Sequence, residues 1–353
     1  MFLLNVPVAA LGLVAALVFV PESGARERPR LDPIGVLAST AGLIGVTYGF
    51  IEAGRNGWTD AGSVGPIAAG LAVLVGFFLW EHRLSGRPDG QPLIDPALFR
   101  SASFTWGVIL LATAVLAMMG VLFTLPQYFQ GVLGTDAMGS GLRLLPLIAG
   151  MVLGALPAAR IASQVGAKIT AALGFAVLAA AAAAGATTSV GSGGGFVAAW
   201  MTVFGAGMGL VFATAASAAL SELAQERSGV GAAVMQALQK VGGPLGAAIL
   251  GSVLSSAYQP RLELAGLPPA AERLVRESVF GGLAVADQLG SAALRESVRA
   301  AFVHGMDVAL MVSAGVAAAG IVLSLAFLPG RRISSKAGGA EAFEKEGPRA
   351  VTW

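Results

Sequence analysis

The sequence predicts an all-α membrane protein, because about nine separate apolar runs, each long enough to cross a bilayer, account for most of its 353 residues. A helix rises about 1.5 Å per residue, so about 20 residues cross the roughly 30 Å of hydrocarbon. The composition agrees: 56% of the residues are hydrophobic, 12% are charged and the mean hydropathy is +0.77. Soluble domains carry about 25% charged residues. These observations place the chain in lipid.

Short polar connections separate most of the runs. The first run lacks a basic start and a cleavage site, so it is predicted to span the membrane and not to act as a signal peptide. In order, the predicted spans are Met1 to Val20, Ile34 to Ile51, Val64 to Trp80, Phe104 to Pro126, Leu142 to Ala159, Ile169 to Thr188, Phe196 to Leu220, Gly231 to Ala257 and Met306 to Leu328.

The connections between spans are alternately rich and poor in Arg and Lys. This alternation predicts how the chain is oriented in the membrane. The intervening short connections carry Arg55, with Arg143 just inside the next helix. The positive-inside rule places the Arg-rich connections and the C-terminus in the cytoplasm of a multi-pass protein in the cell membrane. With nine spans the N-terminus lies outside, and the sequence looks truncated because Met1 opens directly into an apolar run.

Several function classes are excluded by what the chain contains. The formal net charge of +2 offers no basic surface for nucleic acid, and the absence of cysteine excludes disulfides and thiol chemistry. His82 and His304 are too few and too far apart in sequence to indicate a metal centre. No catalytic or nucleotide-binding motif is present, so we expect neither an enzyme nor a cofactor.

Six short strings, in five segments of the chain, carry a resemblance to a known family. They are FLLNVP from Phe2, LDPIGVL and YGFIEAGRNGW in the second span, PLIDPALFRSASF from Pro92, LPQYFQGVLGTDAMGSGLRLLP from Leu125 and LQKVGGPLGAAILGS from Leu238. In this order and spacing they resemble helices six to fourteen of the fourteen-span drug/proton antiporters of the major facilitator superfamily, the EmrB/QacA type.

The resemblance implies a domain organisation. Residues 1–20 would be the last helix of the N-terminal bundle, and residues 21–103 two linker helices with a cytoplasmic loop. Residues 104–328 would be the C-terminal six-helix bundle, with an outer loop at 258–304, and residues 329–353 a disordered cytoplasmic tail. The family's main gate motif and a proton-coupling acid belong to helices one to five, which have no counterpart here.

A polar stripe in the run from Gly231 to Ala257 is the main candidate for substrate contact. Gln236, Gln239 and Lys240 share one helical face, which Gly243 extends by a turn. Either this face lines a central cavity, or its first turns lie in the cytoplasm and Lys240 extends its amine to the membrane surface.

Further candidates lie at the two membrane boundaries. Arg143 is either an interfacial anchor or an outer gate residue that pairs with Asp136, and Gln127 and Tyr128 near it are either substrate contacts or part of the aromatic belt. The turn ARIASQVGAKIT resembles a degenerate copy of the superfamily gate motif. Its matching residues are Arg160, Gly166 and Lys168, with Ser163 where an aspartate is expected.

Prolines and glycines within two spans are candidates for hinges or for close packing. They are Pro146, Pro157, Gly242, Gly243 and Pro244. The polar segment before the last span predicts two short amphipathic helices, Ala271 to Phe280 and Ser291 to Val303, with Asp307 at the hydrated start of the span that follows.

The leading interpretation is a proton-coupled exporter of drugs or other amphipathic compounds, with the bilayer, protons and small substrates as its partners. Such transporters rock two bundles about a midplane site, so this chain is expected to be inactive without its missing helices or a membrane partner. The alternative is a membrane scaffold or assembly partner that does not transport. A membrane-embedded enzyme is the third and least favoured interpretation.

Overall fold

The computed structural model describes residues 32–87, 96–221, 223 and 225–330, together with the isolated positions 7, 12 and 13. Every regular element within these residues is helical, and seven helical stretches among them are long and apolar enough to cross a membrane. The predicted all-α membrane fold is confirmed. The first predicted span and the tail after residue 330 lie outside the described residues.

The helices are numbered here in chain order. They are α1 (Pro33–Asn56), α2 (Ala61–Ser85), α3 (Ala102–Gln127), α4 (Ala137–Arg143), α5 (Leu145–Val165), α6 (Ala167–Gly185), α7 (Gly194–Leu220), α8 (Gln225–Tyr258), α9 (Pro269–Glu277), α10 (Val279–Gln288) and α11 (Ala292–Phe327). A π-helical turn, Tyr128–Val132, extends α3, and 3-10 turns occupy Pro96–Arg100 and Gln259–Arg261.

Short polar residues fix where many of the helices begin. Six helices start after an Asp or Ser whose side chain accepts a backbone N–H of the first turn; these caps are Asp32, Asp60, Ser101, Asp136, Ser278 and Ser291. Such caps satisfy N–H groups that have no partner within the helix. The connections can therefore stay short, and consecutive helices return through the bundle side by side.

Six long helices form one bundle, and a hairpin is attached to it. α5 and α6 both pack along α7, α6 also packs on α11, and α3 contacts α7, α8 and α11. α1 and α2 pack on each other, and α1 attaches this hairpin to the bundle through α8. α8 therefore has the bundle on one side and the hairpin on another.

Interlocked glycines bring α5 and α7 into backbone contact. Gly150 and Gly154 on α5 lie one turn apart, as do Gly205 and Gly209 on α7. A methyl group at any of these four positions would overlap a backbone carbonyl oxygen of the facing helix; the carbonyls belong to Thr202, Ala206, Leu147 and Met151. This is the small-residue contact that lets helices associate closely in lipid.

The segment before the last span differs from the prediction. Its first amphipathic stretch forms α9, which ends at Glu277, and the extended backbone of Ser278 turns the chain into α10. The second stretch is not a separate helix, because α11 runs without interruption from Ala292 through Asp307 to Phe327. No proline breaks this stretch, so the helix continues through its charged turns. Asp307 is therefore well inside the helix, and the predicted start of a helix at this residue was wrong.

We predict that Gly154→Ala destabilises the protein by about 1–3 kcal/mol, because the added methyl group must push α7 away from α5. Gly76→Ala is the matched control, since Gly76 lies in α2 and no atom would meet its new methyl group within 4 Å. Thermal unfolding in detergent measures both. Equal midpoints for the two variants would contradict a close contact between α5 and α7.

Candidate functional site

The predicted polar stripe continues along α8 into positions that line a set of cavities. Gln236 and Gly243 continue at helical spacing into Ala247, Gly251 and Ser255, so these positions form a stripe that winds slowly around the helix. At 1.5 Å per residue the stripe is about 30 Å long, which is comparable to the hydrocarbon thickness. The cavities described next border the part of this stripe from Ala247 to Ser255.

Three cavities follow the stripe toward the end of the bundle that carries α9. The first, here called the apolar cavity, measures about 440 Å³ and lies between α1, α3 and α8; it is lined by Thr47, Ile51, Phe123, Ala247, Ala248, Gly251 and Ser252. The second, the aromatic cavity, measures about 110 Å³, and its lining includes Phe123, Gln127, Gly251, Ser255, Tyr258, Glu277 and Phe302. The third, the charged cavity, measures about 960 Å³ and is lined by Ser255, Gln259, Pro269, Glu272, Arg273, Arg276, Glu277 and Ser278.

The cavities are adjacent to one another and share lining residues. Phe123 and Gly251 line both the apolar and the aromatic cavity. Ser255, Glu277 and Ser278 line both the aromatic and the charged cavity. The wall therefore changes from apolar to aromatic to charged along α8. A compound with an apolar body and a polar head group fits such a sequence of surfaces.

A buried tyrosine fixes the position of α9 across the end of α8. Tyr258 is 2% exposed, and its hydroxyl donates a 2.8 Å hydrogen bond to the backbone carbonyl of Val275. Ser278 then caps α10 by accepting the N–H of Gly281 at 3.0 Å. Glu277 lies between these two anchors, and this places its side chain at the junction of the aromatic and charged cavities.

The charged groups of α9 differ in their partners. Arg276 donates to the Glu272 carboxylate at 2.6 Å, one turn away on the same helix. Glu277 has no ion pair or side-chain hydrogen bond to any residue in the described ranges. Its carboxylate therefore remains available for a ligand.

The predicted stripe residues are only partly tested by this geometry. Gln236 is exposed and Gln239 is half-buried. Lys240 lies on α8, but its side chain is outside the described part of the chain. α8 continues through Gly242, Gly243 and Pro244, with Val115 of α3 3.5 Å from where a methyl group on Gly242 would lie. Their predicted hinge role and the substrate role of the stripe stay predictions.

Gln127 and Tyr128, at the C-terminal end of α3, lie in different surroundings. Gln127 lines the aromatic cavity and donates to the Phe123 carbonyl at 2.8 Å. Tyr128, its neighbour, is fully buried and donates to the Ser189 carbonyl at 3.1 Å, so it packs the bundle and has no surface for a ligand.

Arg143 belongs to a separate cavity of about 240 Å³, which Phe129 and Pro146 also line. Its guanidinium carbon lies 5.9 Å from the centre of the Phe129 ring, a cation–π contact. Asp136, the partner proposed for an outer gate, accepts the N–H of Gly139 at 2.8 Å and caps α4. Pro146 stands in the first turn of α5, where proline costs no hydrogen bond, and Pro157 lies inside α5.

The gate-like turn is a single residue between α5 and α6. Gly166 adopts φ +90°, which side chains rarely tolerate, so a glycine is required for so tight a reversal. Arg160 is exposed near the end of α5, and Lys168 is half-buried in the first turn of α6. Their role in gating remains a prediction.

Asp307 is a site residue that the sequence interpretation misplaced. Its Oδ1 is buried and has no hydrogen-bond partner among the described residues. The missed signal was the helical spacing of apolar residues, which continues from Leu294 without a break into the last span. Among the described residues no group of three His, Asp or Glu is placed to hold a metal ion.

We predict that Tyr128→Phe lowers the free energy of unfolding by about 1 kcal/mol, because the Ser189 carbonyl loses its donor. Ligand binding should not change, since the ring is buried. Tyr48→Phe is the matched control, because Tyr48 is 54% exposed on α1. The unfolding midpoint and the affinity for an amphipathic dye are the two measurements. A change in affinity without a change in stability would contradict a packing role.

Comparison with known proteins shows the family to which the chain belongs. A model of the Major Facilitator Superfamily matches residues 1–247. The tetracenomycin C resistance and export protein of Streptomyces glaucescens is 29% identical over 336 residues, which is 92% of this chain and 62% of the relative. The multidrug resistance protein Stp of Mycobacterium tuberculosis is 26% identical over 344 residues, covering 94% of this chain and 62% of the relative.

The puromycin resistance protein pur8 of Streptomyces alboniger is 29% identical over 275 residues, covering 76% of this chain and 53% of the relative. The chain thus spans less than two thirds of the length of these relatives. Because the family match covers most of the described helices as well as more than half of the sequence, this chain belongs to the Major Facilitator Superfamily, a family of transporters and not of enzymes.

Proposed function

We propose that the chain supplies the linker helices and the C-terminal bundle of a fourteen-span drug exporter of the EmrB/QacA type, which expels amphipathic compounds in exchange for protons. The observation that carries the proposal is the stripe on α8 with its three adjacent cavities, from apolar to charged. Cavities of several hundred Å³ with apolar walls and few polar groups are typical of small-molecule sites.

The names of the relatives support the same substrate class. They describe resistance to, or export of, tetracenomycin C, puromycin and multiple drugs for those proteins. Along the stripe of this chain, Gln236 and Gln239 would offer hydrogen bonds while Ala247 and Gly251 leave room for apolar groups. Broad and weakly polar walls of this kind suit many compounds better than one.

Proton coupling is proposed to involve Asp307. An ionised carboxylate inside a membrane is costly, at least about 2.5 kcal/mol on insertion scales, and such groups commonly belong to proton relays. The buried Oδ1 without a partner leaves one oxygen of Asp307 free to hold a proton. Gain or loss of that proton changes the charge next to Tyr128 and thereby the packing of α11 on the π-helical turn.

Transport needs a second bundle, because alternating access is a rocking of one bundle against another around a site near the midplane. We propose that the described helices provide one half of that site, in a cell membrane and with the C-terminus in the cytoplasm. By itself the chain is expected to bind compounds without moving them.

The test compares the 353-residue chain with a complete fourteen-span protein that contains it, both reconstituted in liposomes. We expect the complete protein to export a cationic dye when a pH gradient is imposed, and the chain alone to show no dye-dependent proton flux. A complete, correctly inserted protein without flux would contradict the proposal and favour the scaffold interpretation. Dye-dependent proton flux from the chain alone would contradict the claim that transport needs a second bundle.

For the coupling residue, we predict that Asp307→Asn in the complete protein removes most of the efflux driven by the pH gradient, because an amide cannot carry the proton. Dye binding at equilibrium should persist. Asp287→Asn is the control, since Asp287 is 63% exposed on α10 and its pair with Arg295 is a surface ion pair of small energy. The dependence of the initial efflux rate on the gradient is measured. Unchanged dependence in Asp307→Asn would exclude this carboxyl from coupling.

A further inference from the structure

The gate-like turn between α5 and α6 is flanked by two cations that lack a carboxylate partner. Arg160 is exposed near the end of α5, and Lys168 is half-buried in the first turn of α6. Neither side chain forms an ion pair or a hydrogen bond with any residue in the described part of the chain. Ser163, between them in sequence, donates its hydroxyl to the Arg160 carbonyl at 2.8 Å and supplies no negative charge. Unneutralised positive charge therefore remains at this end of the bundle.

The backbone that carries these cations is held in a fixed conformation. Gly166 donates its N–H to the Ala162 carbonyl at 2.9 Å, and the buried Thr170 hydroxyl donates to the Gly166 carbonyl at 2.8 Å. A surface that is already ordered loses little conformational freedom when another group binds to it. The turn is therefore a preformed surface on which an acidic segment can dock.

The last described residues bring the chain back to this turn. α11 packs along α6 and ends at Phe327, and Leu328 after it is 2% exposed. The carbonyl oxygen of Gly330 then lies 3.7 Å from the point that a methyl group on Gly166 would occupy. The segment that follows residue 330 therefore begins within contact distance of the gate-like turn.

That segment, residues 331–353, contains an acidic stretch at residues 341–346. Three glutamates and one lysine give the stretch a formal charge of −2, and Phe343 lies among them. The glutamates are Glu341, Glu344 and Glu346. Three basic residues come earlier in the segment, but the uncharged residues 337–340, two of which are glycines, separate them from the glutamates. The sign of the acidic stretch is opposite to that of the turn.

The acidic stretch is close enough in sequence to reach both cations. Glu341 follows Gly330 by eleven residues, and an extended chain of that length spans up to about 36–40 Å. Arg160 precedes Gly166 by six residues, which is about 9 Å along a helix. The connection is therefore longer than the distance it has to cover, and it can bend back without strain.

We propose that the acidic stretch at residues 341–346 docks on the gate-like turn, where its glutamates pair with Arg160 and Lys168. Exposed ion pairs are individually weak and are screened by salt. Because the stretch is attached to α11, however, it meets the turn at an effective concentration on the order of millimolar. While it is docked, it covers both cations and competes with any other carboxylate that approaches the turn. The effect of this competition on transport rests on the proposed function, whereas the contact itself does not.

The test is cross-linking within the purified 353-residue chain, with one chain in each nanodisc of zwitterionic lipid. The chain has no cysteine, so Gln164→Cys, at an exposed position beside the turn, and Ala342→Cys supply the only two thiols. A short bis-maleimide joins them when they approach each other. Replacing all three glutamates by glutamine should slow the reaction at least about fivefold, because the charge is lost and the shape is kept. Salt at about 1 M should also slow it, since the Debye length falls to about 3 Å.

The cations of the turn are tested in the same way. We expect Arg160→Gln combined with Lys168→Gln to slow cross-linking by a similar factor. Lys345→Gln is the control within the acidic stretch, because it removes a charge of the opposite sign and should not slow the reaction. Arg261→Gln is the control for loss of an exposed cation, since Arg261 follows α8 at the other end of the bundle. All variants are first shown to unfold at the wild-type midpoint.

Equal cross-linking rates in the triple glutamate variant and in Lys345→Gln would overturn the docking. A rate that depends on Arg160 and Lys168 but not on the glutamates would also overturn it, and would assign the two cations to lipid head groups at the membrane surface. Absence of efflux from the complete protein, with the effect of the glutamates on cross-linking intact, would instead overturn the proposed function and leave this contact standing.

Discussion

Backbone contact at glycines is the constraint on which the bundle depends. Apolar helices gain little from leaving lipid for one another, so they associate through close van der Waals packing at small residues. α5 and α7 interlock through two glycines each, Gly107 brings α3 against the backbone of α7, and Gly120 brings α3 against the Ser313 side chain of α11. No room remains at these contacts for even one methyl group. They hold the helices behind the site in fixed positions, so that α8 and α3 can present a defined face.

The candidate site lies where this packing is loosest. A methyl group on Gly243 of α8 would meet no atom within 4 Å, and Gly251 of the same stripe lines both the apolar and the aromatic cavity. The tight contacts therefore support the walls, and in the proposed function the open space along α8 receives the ligand. Tyr258 completes the arrangement, because its hydrogen bond to Val275 holds α9 and its terminal Glu277 over the end of the cavities.

The fold class, the family resemblance and most spans could be predicted from the sequence. The length of an apolar run, and the Gly or Asp residues at which helices end or begin, are local signals. The α8 stripe was also predicted, since helical spacing places Gln236 and Gly243 on one face. Two features of the candidate site were not predicted from the sequence. Asp307 was misplaced because Ser291 to Val303 was read as a short separate helix, although nothing between this stretch and the last span breaks the helix. Glu277 was passed over because its importance depends on α9 folding back across α8, a long-range contact that no spacing along the chain encodes.

The central claim is that the α8 stripe borders space that water can enter, while other positions of α8 are packed in the bundle. The chain contains no cysteine, so single cysteines can be introduced without background and treated with a charged maleimide, which labels only thiols in contact with water. The account predicts labelling at Gly243, Ala247, Gly251 and Ser255 and protection at the buried positions Val234 and Leu250. Equal labelling of both sets, or protection of the whole helix, would contradict it.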